Sequence, residues 1–140
     1  MLVAIDSNVF IAALSPKENH SLVAQQLIKN IASARYQAVA SSIVYGEVIS
    51  LAKKEQARSL DLTSFFRSLR NLKTVPANDS ICVATGRLRQ KYGTKLRLAD
   101  ALHLATALDQ KSDFFITNDL PLAKIAKNIM PTKTLASYPR

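Results

Sequence analysis

The sequence predicts an α/β fold in which short apolar strands of a mostly parallel sheet alternate with amphipathic helices. The first apolar run, at residues 2–5, is typical of a strand buried on both faces. A similar run stands at residues 114–116, near the other end of the chain. Between the two, apolar residues recur at helical spacing, beginning with residues 21–34. This alternation indicates a layered α/β architecture.

Capping and turn residues mark where the predicted elements begin and end. Asp6, Ser7 and Asn8 close the first strand and open a short helix. A second strand is predicted at residues 37–40, and a helix follows it to about residue 55. The remaining predicted helices cover residues 62–72, 78–92, 97–111 and 121–127, with weaker strands at 74–76 and 133–135.

The composition predicts one cytoplasmic domain that spans residues 1–140. Of its residues 48% are hydrophobic, but no apolar run approaches the ~20 residues that a membrane span needs. The N-terminus lacks the pattern of a signal peptide. The single cysteine, Cys82, excludes an internal disulfide and fits a reducing compartment.

The charge indicates the class of partner. Nineteen Lys and Arg against ten Asp and Glu give a net charge of +9. Such an excess favours a polyanionic partner, with nucleic acid first and an anionic membrane second. Ordinary solubility, or balance against an acidic protein, is the alternative.

Two acids, Asp6 and Asp119, each follow a predicted strand directly. The carboxyl ends of parallel strands line the crevice in which open α/β sheets bind ligands. Both acids also precede a predicted helix, so helix capping is the alternative for each of them.

Glu47 lies on a predicted helix among apolar residues. Its neighbours one turn away are Ile43 and Leu51, and Val44 and Val48 lie beside it. A carboxylate on an apolar stripe is costly unless it is paired or binds a metal. A functional, buried Glu47 is therefore favoured over an exposed side chain.

Asp100 repeats this pattern near the start of a helix rich in Leu and Ala. Helix capping is again an alternative. His103, three residues on, could be a metal ligand, although packing against a neighbour is the commoner role of such a histidine.

The four acids, taken together, predict a metal site. Two follow strands and two lie early in helices, so a parallel sheet would bring all four to one edge. Clustered carboxylates repel one another and need a counter-charge, for which Mg²⁺ or Mn²⁺ is suited. An acidic metal pocket within a basic surface is typical of a nuclease.

Four segments carry a family resemblance. Asp6-Ser7-Asn8-Val9, Glu47 after the second strand, Leu98-Ala99-Asp100-Ala101 and Ile116-Thr117-Asn118-Asp119 resemble the four motifs of the PIN-domain ribonucleases. Their spacing spans nearly the whole chain, and the length is similar to that of the VapC-type toxins of toxin–antitoxin pairs. The resemblance implies a three-layer α/β/α fold with a central five-stranded sheet.

The resemblance also implies roles for single residues. Asp6, Glu47, Asp100 and Asp119 would be the catalytic, metal-binding acids. Thr117, with them in the catalytic set, and Ser7 would supply hydroxyl groups, and Asn8 and Asn118 would support the pocket. Many toxins of the family have Thr at the place of Ser7 and Arg at the place of Asn118. Some carry a further acid where Leu120 and Pro121 follow here, which leaves the number of metals open.

The activity implied is that of a metal-dependent endoribonuclease. Metal-activated water would attack the RNA phosphodiester in line and leave 5′-phosphate and 3′-hydroxyl ends. An acidic antitoxin and a homodimer are the partners that the resemblance implies.

The densest basic stretch ends beside Asp100, where it could hold RNA. A solvated helix face is the ordinary meaning of such a run. Its members are Arg87, Arg89, Lys91, Lys95 and Arg97.

Two other functions are compatible with parts of the pattern. A phospho-acceptor signalling domain also gathers acids over Mg²⁺, but it needs an acceptor Asp after its third strand, and no acid follows residues 74–76 before Asp79. A catalytically silent PIN-like module that binds RNA or protein is the second alternative, and retention of all four acids argues against it.

Overall fold

A sheet of five parallel strands forms the centre of the protein. The computed structural model describes residues 1–51 and 61–138. The strands are β1 (Leu2–Ile5), β2 (Gln37–Ser41), β3 (Leu72–Val75), β4 (Phe114–Thr117) and β5 (Thr132–Thr134). Their order is β3-β2-β1-β4-β5, and every neighbouring pair is parallel. The predicted five-stranded sheet is confirmed.

Helices cover both faces of this sheet. Among the residues that the structure describes, the side chains of Val3 and Ile5 on β1 belong to a core with helices of the first half of the chain. Ala4 between them belongs to a second core with helices of the second half. This alternation makes three layers, as predicted. The helices are α1 (Ser7–Leu14), α2 (Ser21–Ala32), α3 (Ile43–Leu51), α4 (Leu62–Ser68), α5 (Asp79–Tyr92), α6 (Leu98–Asp109) and α7 (Leu120–Ala126).

The predicted helix over residues 62–72 was too long. It ends at Ser68, and Leu72 instead begins β3, where it pairs with Ala38. The apolar residues at this junction fit a helical spacing, but the backbone here pairs with β2 instead, and the N–H of Ala38 donates to the Asn71 carbonyl at 2.8 Å. The predicted end of α3 near residue 55 lies outside the described residues.

The strand order fixes where a ligand crevice can form. The chain runs outward from β1 to β2 and β3, then returns to the other side of β1 as β4 and β5. The switch point therefore lies between the carboxyl ends of β1 and β4. The phospho-acceptor alternative would require the order 2-1-3-4-5, which this sheet does not have.

In the two described ranges, no helix combines the length and the apolar character needed to cross a bilayer.

Candidate active site

Asp6 lies at the switch point and is almost fully buried, with 1% of its surface exposed. It occupies the N-cap position of α1, but its side chain makes no capping hydrogen bond. Instead, its Oδ2 accepts a hydrogen bond of 2.7 Å from the Thr117 hydroxyl at the end of β4. The capping alternative therefore does not describe what this carboxylate does.

Thr117 is the hub of a hydrogen-bond network that joins the two strand ends. Its Oγ1 donates to Asp6 and accepts from Asn8 Nδ2 at 3.2 Å and from the backbone N–H of Asp119 at 3.0 Å. One donated and two accepted bonds use the full capacity of a hydroxyl group. Asn8 Oδ1 accepts from the backbone N–H of Asn118 at 2.8 Å, which fixes the loop after β4.

Two of the predicted supporting residues have different surroundings. The Ser7 hydroxyl lies 3.4 Å from Asp6 Oδ1 and is buried beside it. The Asn118 side chain turns away and donates to the carbonyl of Asn19 at 3.0 Å. Ser7 thus contacts the central carboxylate, whereas Asn118 ties the loop before α2 to the edge of the site.

Asp119 caps a helix, as the alternative for this residue stated. Its Oδ1 accepts from the backbone N–H of Leu122 at 3.0 Å, in the first turn of α7. Its Oδ2 lies 4.0 Å from Arg97 Nη2. One oxygen is therefore occupied by the helix, and the other faces a charged side chain at the rim of the site.

Asp100 lies in the first turn of α6, where Arg97 and not Asp100 holds the N-cap position. The capping alternative therefore fails here. Arg97 Nε lies 3.4 Å from Asp100 Oδ2, although the Arg97 side chain is 77% exposed. This guanidinium thus lies between Asp100 and Asp119 on the solvent side of the acids.

Glu47 is half-buried and makes a hydrogen bond that the sequence did not predict. Its expected neighbours Ile43 and Leu51 are exposed, so it lies at the edge of the buried stripe formed by Val44 and Val48. Its Oε1 is 2.5 Å from Nε2 of His103 on α6. In the sequence, the only indication of this contact was the position of His103, three residues after Asp100 on the apolar face of the same helix.

The electrostatics of the site show that negative charge is costly at its centre. Burial raises the pKa of the Asp6 carboxyl above its ordinary value, despite the opposing effects of His103 and Thr117. Burial, and then the charge of Asp6, raises the pKa of Asp100, and Asp119 adds to this. These carboxylates are therefore close enough to repel one another.

Glu47 behaves differently because it has a basic partner. Burial alone would raise the pKa of Glu47, but the hydrogen bond and the charge of His103 outweigh it, and the pKa lies below its ordinary value. Burial likewise opposes charge on His103, but Glu47 and Asp6 raise the pKa of its imidazole.

The chemistry of the donors fits a hard divalent cation. Carboxylate oxygens are ligands that Mg²⁺ and Mn²⁺ prefer, and a cation would offset the burial, and the smaller mutual repulsion, that raise the pKa values of Asp6 and Asp100. In the described part of the chain, however, no three acidic, histidine or cysteine side chains are arranged to hold a metal ion. The donor types fit, and side-chain rearrangement is required before several of them can coordinate together.

The basic stretch divides into residues with different surroundings. Lys95 and Arg97 are both exposed, and Arg97 lies next to Asp100 and Asp119. Arg89 donates to the carbonyls of Gly93 at 3.0 Å and Leu96 at 2.6 Å, so its guanidinium holds the turn between α5 and α6. Arg87 and Lys91 line a largely apolar groove along α5.

The Thr117 hydroxyl can be tested by substitution with a side chain of the same shape. Thr117→Val should lower the free energy of unfolding by about 3 kcal/mol, because it leaves the buried Asp6 carboxylate and part-buried groups of Asn8 and Asp119 without this partner. Urea denaturation at neutral pH measures this change. Thr117→Ser keeps the hydroxyl and should cost only about 1 kcal/mol for the lost methyl group. Equal losses in the two variants would contradict the network.

Comparisons with solved structures show proteins of the same fold. The crystal structure of VapBC2 from Rickettsia felis, bound to a DNA fragment from its promoter, superposes with a TM-score of 0.69 at 19% identity, covering 96% of this chain and 98% of that one. FitAcB from Neisseria gonorrhoeae gives 0.69 at 16%, covering 97% and 99%. A toxin–antitoxin complex from Klebsiella pneumoniae gives 0.61 at 25%, covering 85% and 87%.

A comparison with curated proteins gave no match. The family model of the PIN domain, in contrast, matches residues 3–128, which include Asp6, Glu47, Asp100 and Asp119. The chain therefore belongs to the PIN domain family.

Proposed function

We propose that this protein is a metal-dependent endoribonuclease and the toxin of a toxin–antitoxin pair. The observation that carries the proposal is the buried Asp6 carboxylate at the switch point of the sheet, with Glu47, Asp100 and Asp119 around it in a chain of the PIN family. A bound Mg²⁺ or Mn²⁺ would supply Lewis acidity and an activated water for phosphodiester hydrolysis.

The chain's own residues have separable tasks in this proposal. Asp6 is the central ligand, because Thr117 fixes one of its oxygens and burial disfavours its charge without a counterion. Glu47, Asp100 and Asp119 would complete the acidic set. Asn8 would keep Thr117 and the loop after β4 in register.

RNA is proposed as the substrate because the chain has a large excess of basic residues and one of them, Arg97, lies at the acidic pocket. The net charge is +9 although four of the ten acids lie at this one site. Arg97, exposed beside Asp100, and Lys95, exposed two residues before it, would contact the phosphates that flank the scissile bond. Arg87 and Lys91 would extend this surface along α5.

The toxin role is supported by the kind of complex in which similar folds are found. The similar structure from Klebsiella pneumoniae is described as a toxin–antitoxin complex. An acidic antitoxin would place an Arg or Lys among the carboxylates, and Arg97 of this chain already shows that a guanidinium fits between Asp100 and Asp119. Leu98 and Leu120, which are 64% and 65% exposed beside these acids, would be covered by the same partner.

Metal binding can be tested by thermal unfolding in EDTA and in Mn²⁺ or Mg²⁺. Metal at 100 times its Kd should stabilise the wild-type protein by about 2.7 kcal/mol, because it binds only the folded state. Asp6→Asn should remove this rise in Tm and keep the fold, since the amide oxygen can still accept from Thr117. Asp109→Asn changes the same charge at the exposed far end of α6 and should keep the rise. A wild-type Tm that ignores both metals would contradict the site.

Binding and cleavage of RNA can be separated by two variants. Asp119→Asn keeps the helix cap, because Asn also caps, but it removes a carboxylate ligand. RNA binding in Ca²⁺ should persist, while the rate of cleavage in Mn²⁺ should fall by more than about 100-fold. A loss of that size exceeds what is expected when a residue that only orients a metal ligand is removed.

Lys95→Ala combined with Arg97→Ala should have the converse effect. RNA affinity should fall, and the slope of log affinity against log salt should become shallower by about 0.7 for each lost contact to a single strand. Lys29→Ala, on the exposed side of α2, is the charge-matched control for one such loss. Fluorescent-RNA binding across a salt series gives the slope.

For the Asp119→Asn variant, cleavage as fast as that of the wild-type protein would show that this carboxylate is only a helix cap.

The partners can be tested by expression from the native operon. The chain should co-purify with a small acidic protein encoded beside it, and that protein should block RNA cleavage. Gel filtration of the purified chain should give a homodimer, which the family resemblance implies. If the chain co-purifies with no partner and elutes as a monomer, the toxin part of the proposal fails. The nuclease part would then be decided by the RNA cleavage assay alone.

A further inference from the structure

His103 lies between two carboxylates of the proposed site and has a role there that the proposed function does not assign. It is on the buried side of α6 and only 2% exposed. Its Nε2 is 2.5 Å from Glu47 Oε1 and 3.6 Å from Asp6 Oδ1. One ring nitrogen thus lies close both to the acid that follows β1 and to an acid of α3.

The chemistry of the contact fixes the direction of the hydrogen bond. An ionised carboxylate can only accept, so Nε2 must carry the hydrogen and donate it to Glu47. This is true of both the neutral and the charged imidazole. The contact therefore does not depend on which of the two forms is present.

A purely structural role does not account for the choice of histidine. Nδ1 of His103 is buried with no hydrogen-bond partner in the described structure. An unpartnered polar atom costs stability that a Leu or Met in the same space would avoid. The compensation must come from Nε2, and Nε2 points at the acids.

The bond also joins two helices that the site needs in register. Among the hydrogen bonds of the described residues, this one alone links α3 to α6. Glu47 has three side-chain torsions and is partly exposed, so without an anchor it would lose much rotamer freedom on binding a metal. Outer-shell hydrogen bonds commonly orient carboxylate ligands in this way.

We infer that His103 is a positioning residue that holds the Glu47 carboxylate toward Asp6 for metal binding by donating a hydrogen bond from Nε2. The inference rests on the proposed function, because it needs the acids to bind a metal. His103 itself does not ligate the metal in this arrangement, since its Nε2 is engaged by Glu47 and its Nδ1 is buried.

The test compares two substitutions that have the same length and differ in one group. His103→Gln places an amide donor near the position of Nε2, and His103→Met fills similar space without a donor. Titration of Mn²⁺, with free Mn²⁺ measured by electron paramagnetic resonance, should show about 10–100-fold weaker binding for His103→Met. His103→Gln should recover most of that loss. Circular dichroism confirms the fold of each variant.

A spectroscopic measurement on the wild-type protein separates positioning from ligation. Electron spin-echo modulation of bound Mn²⁺ should show no directly coordinated nitrogen. A directly bound nitrogen that disappears in His103→Gln would make His103 a ligand and overturn the inference. If His103→Met does not fold, His103→Asn replaces it, because its amide is polar but too short to reach Glu47 and should weaken Mn²⁺ binding equally.

The failure of this inference differs from the failure of the proposed function. Wild-type protein that does not bind Mn²⁺ would overturn both. Wild-type protein that binds Mn²⁺ and cleaves RNA, with equal Mn²⁺ affinity in His103→Met and His103→Gln, would overturn the positioning role alone.

Discussion

The hydrogen bond between Thr117 and Asp6 is the interaction on which the rest of the site depends. It crosses from the end of β4 to the end of β1, the two strands that meet at the switch point of the sheet. Because both residues are buried, neither polar group could find water if the bond were lost. The adjacent pairing of β1 with β4 is therefore what allows a carboxylate to be buried at this place at all.

The same bond explains why two acids in equivalent positions behave differently. Asp6 and Asp119 both follow a strand and precede a helix. Asp119 caps α7, as its position predicts, whereas Asp6 turns toward Thr117 and leaves α1 without a side-chain cap. The loss of a cap costs about 1 kcal/mol, which is comparable to what a hydrogen bond such as the one from Thr117 to Asp6 contributes.

The fold could be predicted from local patterns, but the pairing within the site could not. Short apolar runs predicted the strands. The start of β3 at Leu72 was not predicted, because Leu72 fits a helical spacing as well as a strand. The four acids could be grouped by their positions at strand ends and early in helices. The His103–Glu47 bond could not be predicted, because it joins residues 56 apart on different helices and depends on their relative rotation.

The balance of charges explains how four carboxylates can lie at one edge of a folded chain before a metal binds. His103 pairs with Glu47 in a buried contact, and Arg97 neutralises part of the Asp100 charge from solvent. The contact of Arg97 with Asp100 contributes little to stability because the Arg97 side chain is exposed. The buried His103 is therefore the more important of the two basic residues in offsetting the negative charge of the acids. Burial raises the pKa of Asp6, at the centre, in spite of the opposing charge of His103. The residual cost of its charge is what a divalent cation would relieve, so the arrangement that costs stability without a cation is also the one that would favour the metal binding we propose.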